Sequence, residues 1–207
     1  MKNTEKSLRS SWPIMESFYT IQGEGHHSGR AAYFIRTAGC DVGCVWCDVK
    51  ESWEAGLHPV LTIDEIIKEV EKHPTDFVVI TGGEPTMYAL KLLVEALQKL
   101  GKEVAIETSG TNTLDVPVDW YCFSPKKFKA PVEEAYEKAD ELKIIVFNKS
   151  DLQWAEEHAK KVNKNCLLYL QPEWSKEEKM LPLIIDYIKK NPQWKVSLQT
   201  HKYMNIP

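Results

Sequence analysis

Phe77-Val-Val-Ile80-Thr-Gly-Gly-Glu-Pro85 joins a short apolar run to a break made of two glycines, a carboxylate and a proline. An apolar run without polar alternation reads as a strand buried on both faces, the condition of a strand inside a parallel sheet. The break that follows puts a turning backbone and polar groups at the strand's C-terminal end. The same order recurs along the chain: 31–36 before a cysteine-rich loop, 103–107 before Thr108-Ser-Gly-Thr111, and 120–123 before Ser124-Pro-Lys126. It returns at 142–147, at 167–170 before Gln171-Pro172, and at 194–198 before Gln199-Thr-His-Lys202. Helical patterns fill the intervals over 62–71, 88–100, 151–162 and 176–190. Thr62 and Glu65 form a capping box at the start of the first, and Gly101 stops the second. Alternating strands and helices predict an α/β fold with a parallel sheet, and six or so such units predict a partial or complete barrel. Ligands belong at the rim where the polar motifs collect. Residues 1–13 read as a polar lead-in ending at Pro13, and 14–207 as one domain.

At 207 residues and 43% hydrophobic content the chain is long enough for one well-buried core and too short for two domains of ordinary size. A net charge of -4 gives no general attraction to nucleic acid or to an anionic membrane. A small soluble ligand is therefore the expected partner. The start of the chain has no apolar leader segment, and no run approaches the length of a membrane span, so a cytoplasmic location is expected. Five cysteines, an odd number without disulfide-framework spacing, agree with a reducing compartment.

Three of those cysteines stand within Cys40-Asp-Val-Gly-Cys44-Val-Trp-Cys47. A structural zinc site takes four ligands, and neither Cys122, Cys166 nor any histidine forms a second half-site. Three thiolates on an iron–sulfur cluster leave one iron open for chemistry, whereas a zinc knuckle would need a distant fourth ligand. Arg36 closes the strand that enters this loop. It either binds a substrate carboxylate through its planar fork or pairs with an internal acid. Gln22-Gly-Glu-Gly25, after an apolar stretch over 14–21, is either a surface turn or a loop that approaches a ligand closely.

The cysteine spacing, with an aromatic before the last thiol, resembles the radical S-adenosylmethionine superfamily. That resemblance implies a partial (βα)6-type barrel and a [4Fe–4S] cluster on Cys40, Cys44 and Cys47. Its open iron would be chelated by the methionine part of S-adenosylmethionine. Further stretches narrow the match: Phe18-Tyr-Thr-Ile-Gln-Gly-Glu-Gly25, Phe34-Ile-Arg36, Cys44-Val-Trp-Cys-Asp48, Ser124-Pro-Lys126, Leu170-Gln-Pro172 and Gln199-Thr-His-Lys-Tyr203. Together they resemble the 7-carboxy-7-deazaguanine synthase family of queuosine and deazapurine biosynthesis. The implied reaction begins with a 5′-deoxyadenosyl radical taking hydrogen from 6-carboxy-5,6,7,8-tetrahydropterin. It ends, after ring contraction and loss of ammonia, in 7-carboxy-7-deazaguanine.

The resemblance also implies residue roles. Trp46, Cys47, Asp48, Gly83, Glu84, Ser109, Ser124, Pro125, Lys126, Gln171, Pro172, Glu173 and Trp174 would line the cofactor. Ile21, Gln22, Gly23, Glu24, Arg36, Thr81, His201 and Pro207 would meet the pterin, with Arg36 on its carboxylate and the carboxylate of Pro207 on its amino-pyrimidinone edge. A Mg²⁺ ion is implied beside Asp48; the usual Thr ligand after that Asp is Val49 here, which has no side-chain oxygen, so the ion would bind through substrate, water and Asp48, since Mg²⁺ commonly keeps several waters. An electron donor such as a flavodoxin or ferredoxin and a homodimer are implied too. Two other classes share part of the pattern: an activating enzyme for glycyl-radical proteins, and a non-catalytic iron–sulfur or zinc carrier. Neither has a use for Gln22-Gly-Glu-Gly25 together with the terminal Gln-Thr-His-Lys.

Overall fold

The computed structural model describes residues 10–207. Its strands are β1 (Ser11–Ile21), β2 (Ala31–Thr37), β3 (Val60–Thr62), β4 (Phe77–Gly82), β5 (Glu103–Thr108), β6 (Trp120–Phe123), β7 (Glu141–Val146), β8 (Leu167–Pro172) and β9 (Trp194–Val196). The helices are α1 (Ile63–Val70), α2 (Lys91–Lys99), α3 (Glu133–Lys138), α4 (Asp151–Ala159), α5 (Glu177–Lys190) and α6 (Thr200–Met204). All nine strands form one sheet in the order β3-β1-β2-β4-β5-β6-β7-β8-β9. From β2 to β9 every pairing is parallel, while β1 runs antiparallel to both β2 and β3. The end strands β3 and β9 do not pair with each other, so the barrel is open, as a partial barrel predicts. The crossover from β5 to β6 holds no helix among the described residues.

Alternation along the strands sorts their side chains. Tyr33, Ile35, Val78, Ile80, Val104, Ile106, Leu142, Ile144 and Leu170 point to the helix layer and share one large core with α1, α2, α4 and α5. Their alternate neighbours point into the barrel, where Ala32, Phe34, Phe77, Val79 and Ala105 form a second, smaller cluster with Phe18 and Trp120. A strand buried on both faces therefore reads as an unbroken apolar run, although its two faces serve different layers.

Several boundaries differ from the expected ones. The strand β1 begins at Ser11, inside the supposed lead-in, because Trp12 is fully buried and its indole N–H donates to Ala89 O at 2.9 Å. Ser11, Trp12 and Pro13 pair with β3, a three-residue strand with too little pattern to be read from sequence. The remainder of the lead-in, residues 1–9, lies outside the described residues. The capping box is present, with Glu65 N donating to Thr62 Oγ1 and Thr62 N donating to Glu65 Oε2. The helix expected over 88–100 is shorter: α2 runs from Lys91 to Lys99, preceded by a separate 3-10 turn at Pro85–Met87. Gln199-Thr-His-Lys202 is not a plain strand-end turn but the start of α6.

Candidate active site

A cavity of about 430 Å³ opens at the C-terminal ends of the parallel strands. Every candidate residue except Pro125 lines it, from Ile21 on β1 to Pro207, whose O accepts from Thr20 Oγ1 at 3.4 Å. Pro125 only carries the chain from Ser124 to Lys126. The ends of the parallel strands bring most of these residues together at one rim, while Ile21 to Glu24 come from the opposite end, after the antiparallel β1.

On one wall stand Cys40, Cys44 and Cys47, all with free thiols. Burial raises the pKa of Cys40 and pushes Cys44 up to about 11, where the Lys126 ammonium pulls it back and the neighbouring thiols push it further. The three sulfurs thus feel one another, yet no three Cys, His, Asp or Glu side chains among the described residues converge on a point that could hold one metal ion. That arrangement suits a cluster, which takes each thiolate on a separate iron, and does not suit a zinc knuckle. The loop is packed against backbone from β4. A Cβ on Gly83 would lie 2.3 Å from Gly39 O and 2.9 Å from Cys40 Cβ, so only glycine allows this approach. Glu84 N donates to Gly39 O at 2.8 Å and fixes the same contact.

Glu84 itself is a tie between loops. Thr86 N, Thr86 Oγ1 and Thr108 Oγ1 donate to its Oε1 at 3.0, 2.6 and 2.5 Å, and Ser109 N donates to Oε2 at 2.8 Å. Ser109 Oγ adds a further short bond to Oε2. Five protein donors saturate the acceptor sites of one carboxylate. Glu84 thus holds the Thr108-Ser-Gly110 turn against the β4 turn, and any ligand there meets a preset backbone.

The loop after β1 forms the floor. Gly25 N donates to Ser197 Oγ, His26 N to Glu141 Oε2, and Thr200 N to Gly23 O, all at 2.9 Å. Neither a surface turn nor direct ligand contact explains both glycines of Gln22-Gly-Glu-Gly25. A Cβ at Gly23 would strike His201 Nδ1 at 2.2 Å, and one at Gly25, which has φ +62°, would strike Glu141 Oε1 at 2.1 Å.

Above this floor lies a charged cluster that sequence reading missed. Lys143, 3% exposed, donates to Glu24 Oε2 at 2.6 Å and to Glu107 Oε2 at 3.2 Å, and Gln22 Nε2 donates to Glu107 Oε1 at 2.8 Å. Burial would raise the Glu24 carboxyl, but the Lys143 ammonium with Gln199 and Gln171 holds it at about 2. For Lys143, burial is outweighed by Cys122, Glu107, Glu24 and Glu141, which keep it charged. Glu141 goes the other way: burial raises its pKa against the pull of Lys143. The available signal was a lone charge in Leu142-Lys-Ile-Ile-Val146, a strand otherwise apolar.

Arg36 pairs with an acid and also faces the cavity. Its Nε donates to Glu16 Oε1 at 2.7 Å across the β1–β2 pairing, and its side chain lines the cavity. Asp48 is engaged by a residue of the Gln199-Thr-His-Lys202 motif to which no role had been assigned: Lys202 Nζ donates to its Oδ2 at 2.8 Å.

An open parallel barrel with three free thiols, a glycine cradle and polar strand ends around one cavity defines a radical S-adenosylmethionine protein, and residues 34–121 match the Radical SAM superfamily. The chain is 57% identical over 195 residues to a 7-carboxy-7-deazaguanine synthase of Flavobacterium psychrophilum, covering 94% of this chain and 92% of that protein. It is 44% identical to one of Synechocystis sp., covering 96% and 95%. The crystal structure of QueE from Escherichia coli superposes with a TM-score of 0.82 at 31% identity, covering 91% of this chain and 93% of that one. The chain belongs to the 7-carboxy-7-deazaguanine synthase family.

Proposed function

We propose that this chain converts 6-carboxy-5,6,7,8-tetrahydropterin to 7-carboxy-7-deazaguanine with loss of ammonia, as a step of queuosine or related deazapurine biosynthesis. The observation that carries the reading is the single cavity lined by thiols, glycine cradle, Arg36 and the Gln22-Gly-Glu-Gly25 floor together. Bound there, a [4Fe–4S] cluster on Cys40, Cys44 and Cys47 and S-adenosylmethionine supply the removal of a hydrogen atom from the substrate.

The protein's own residues bind, orient and exclude water. Trp46 at the mouth packs edge-on to Phe128, with ring centroids 6.1 Å apart, and Lys126 donates to Ser124 O and Oγ at 2.6 and 2.5 Å. These contacts stiffen the wall where the adenosyl part of the cofactor would rest, opposite the turn held by Glu84. Gln171, Pro172, Glu173 and Trp174 close that wall from β8. Arg36, held at Nε by Glu16, turns its remaining guanidinium nitrogens to a substrate carboxylate. Glu24, Gln22, Thr81 and His201 surround the pterin ring, and burial keeps His201 below its ordinary pKa despite Glu24 nearby. A flavodoxin or ferredoxin would supply the electron that a cluster held by Cys40, Cys44 and Cys47 needs. A homodimer in the cytoplasm completes the reading; no helix among the described residues is long and apolar enough to cross a membrane.

Anaerobic reconstitution followed by iron and sulfide assay, then S-adenosylmethionine cleavage with and without the pterin, tests the reading. Formation of 7-carboxy-7-deazaguanine supports it. Cofactor cleavage that yields no deazapurine from this pterin would refute the substrate.

A further inference from the structure

A Mg²⁺ ion beside Asp48 does not fit the residues present. Mg²⁺ requires oxygen ligands in near-octahedral array and gives up its waters reluctantly. Lys202 occupies Asp48 Oδ2 and sets an ammonium beside the carboxylate, Val49 offers only hydrocarbon, and the nearby His201 is a nitrogen donor. Among the described residues no group of three His, Cys, Asp or Glu side chains could hold a metal ion.

Lys202 is built into place rather than draped over the surface. Its Nζ lies 2.8 Å from Asp48 Oδ2 and 5.0 Å from the centre of the Trp174 ring, so one carboxylate and one aromatic face share the ammonium. Trp174 is itself braced edge-on by Tyr203 at 5.5 Å, and the Tyr203 hydroxyl donates to Glu177. The first turn of α6 is pinned by Thr200, whose N and Oγ1 both donate to Gly23 O at 2.9 Å. Lys202, Asp48, Val49, Trp174 and His201 all line the cavity. An ammonium has three donors, and Asp48 uses one.

We propose that the Lys202 ammonium supplies the fixed positive charge at this wall, and that the chain binds no divalent cation there. A cation approaching Asp48 would have to displace a lysine held by a carboxylate and an aromatic face, and would meet its charge at close range. The charge is then permanent, on the protein, and directed at the electronegative edge of the bound substrate. This inference rests on the proposed pterin reaction for the identity of that substrate. It stands on the Lys202 geometry for the metal.

The test uses cluster-reconstituted protein with S-adenosylmethionine and the pterin present. Mn²⁺ serves as the paramagnetic probe, and the free ion is read by electron paramagnetic resonance. Wild-type protein is expected to leave Mn²⁺ free, and its turnover is expected to be unchanged by Mg²⁺ or by a chelator. Lys202→Met is expected to raise the pterin KM about tenfold or more, the loss of a charge-assisted hydrogen bond, with kcat less affected and Lys202→Arg recovering most of the loss. A stoichiometric Mn²⁺ site in wild-type protein that Mg²⁺ displaces would overturn the proposal, as would an unchanged pterin KM in Lys202→Met. Absence of pterin turnover by wild-type protein refutes the proposed function instead, and the Mn²⁺ measurement still reads the metal site.

Discussion

Lys143 and Glu24, 119 residues apart in sequence, meet inside the barrel with Nζ 2.6 Å from Oε2. Glu107 and Glu141 flank the same ammonium, so one buried cation serves three carboxylates. Lys143→Met would leave that negative charge without its partner, and a loss of roughly 3–5 kcal/mol in unfolding free energy is expected. Denaturant midpoints measure it. Adding Glu24→Gln to Lys143→Met should recover part of the loss, and a Lys143→Met protein as stable as wild type would show the cluster to be energetically idle.

The acid side of the stability profile follows from Glu24. Its folded pKa, about 2, lies below the ordinary 4.5, so its contribution is present above pH 4.5 and is lost as pH falls from there toward 2. The raised Glu141 acts with opposite sign. It favours the folded state while protonated, and that advantage fades as pH rises above 4.5. Glu141→Gln should therefore be neutral or stabilising at pH 7, while Glu24→Gln should flatten the acid limb. Melting temperatures across pH 3 to 7 for the two variants check both signs.

Cluster loading should separate the five cysteines into two groups. Cys122 and Cys166 are buried in or beside strands, with Cys122 Sγ 3.6 Å from Glu141 Oε1, and neither lines the main cavity. Replacing either by Ala should leave the iron and sulfide content of reconstituted protein near that of wild type, whereas Ala at Cys40, Cys44 or Cys47 should lower it severely. Cluster loss in Cys122→Ala would reassign the ligands.

Gly83→Ala tests the cradle. The added methyl would press on Gly39 O and Cys40 Cβ, and neither can yield without moving the cysteine loop. A destabilisation of roughly 1–3 kcal/mol together with poor cluster retention is expected. Gly56→Ala has open space around its Cβ and is the control, with near-normal iron content. Equal iron content in the two variants would show that the cysteine loop adapts.

Glu16 and Arg36 should act as a unit. Glu16→Gln keeps an acceptor for Arg36 Nε, whereas Glu16→Ala frees the fork to rotate. Pterin KM should rise about tenfold or more in Arg36→Lys and in Glu16→Ala, and much less in Glu16→Gln, with cofactor cleavage in the absence of pterin unaffected. A rise confined to Arg36→Lys would mean that Glu16 does not orient it.

Much of this was legible because chemistry-bearing residues follow buried strands at a fixed place. Thr81-Gly-Gly-Glu84 and Thr108-Ser109 are local signals, and parallel pairing then lifts them to one rim. The rest depends on contacts distant in sequence. Nothing in Asp48-Val49 announces Lys202, which is 154 residues away. Glu84 reads as a ligand contact, yet its oxygens are filled by Thr86, two residues on, and by Thr108 and Ser109, which only the adjacency of β4 and β5 brings near. Lys143 was visible as a charge in an apolar strand, but its three carboxylate neighbours come from β5, β7 and the floor loop.

The floor loop has a consequence for how the chain becomes an enzyme. Gly25 and Ser197 are separated by 172 residues, and Gly23 and Thr200 by 177. The segment that closes the barrel from below is thus held by partners far along the chain. Without α6, Gly23 has no His201 to pack on and the α6 end of the floor is missing. Contacts this distant in sequence carry a large loop-closure cost and slow the final step of folding. A nascent or truncated chain ending before residue 197 can assemble most of the sheet and its helices, yet its substrate chamber stays open at the bottom. A chamber closed by such contacts is complete only where residues 22–25 have met Ser197 and Thr200, so binding competence reports on the fold as a whole.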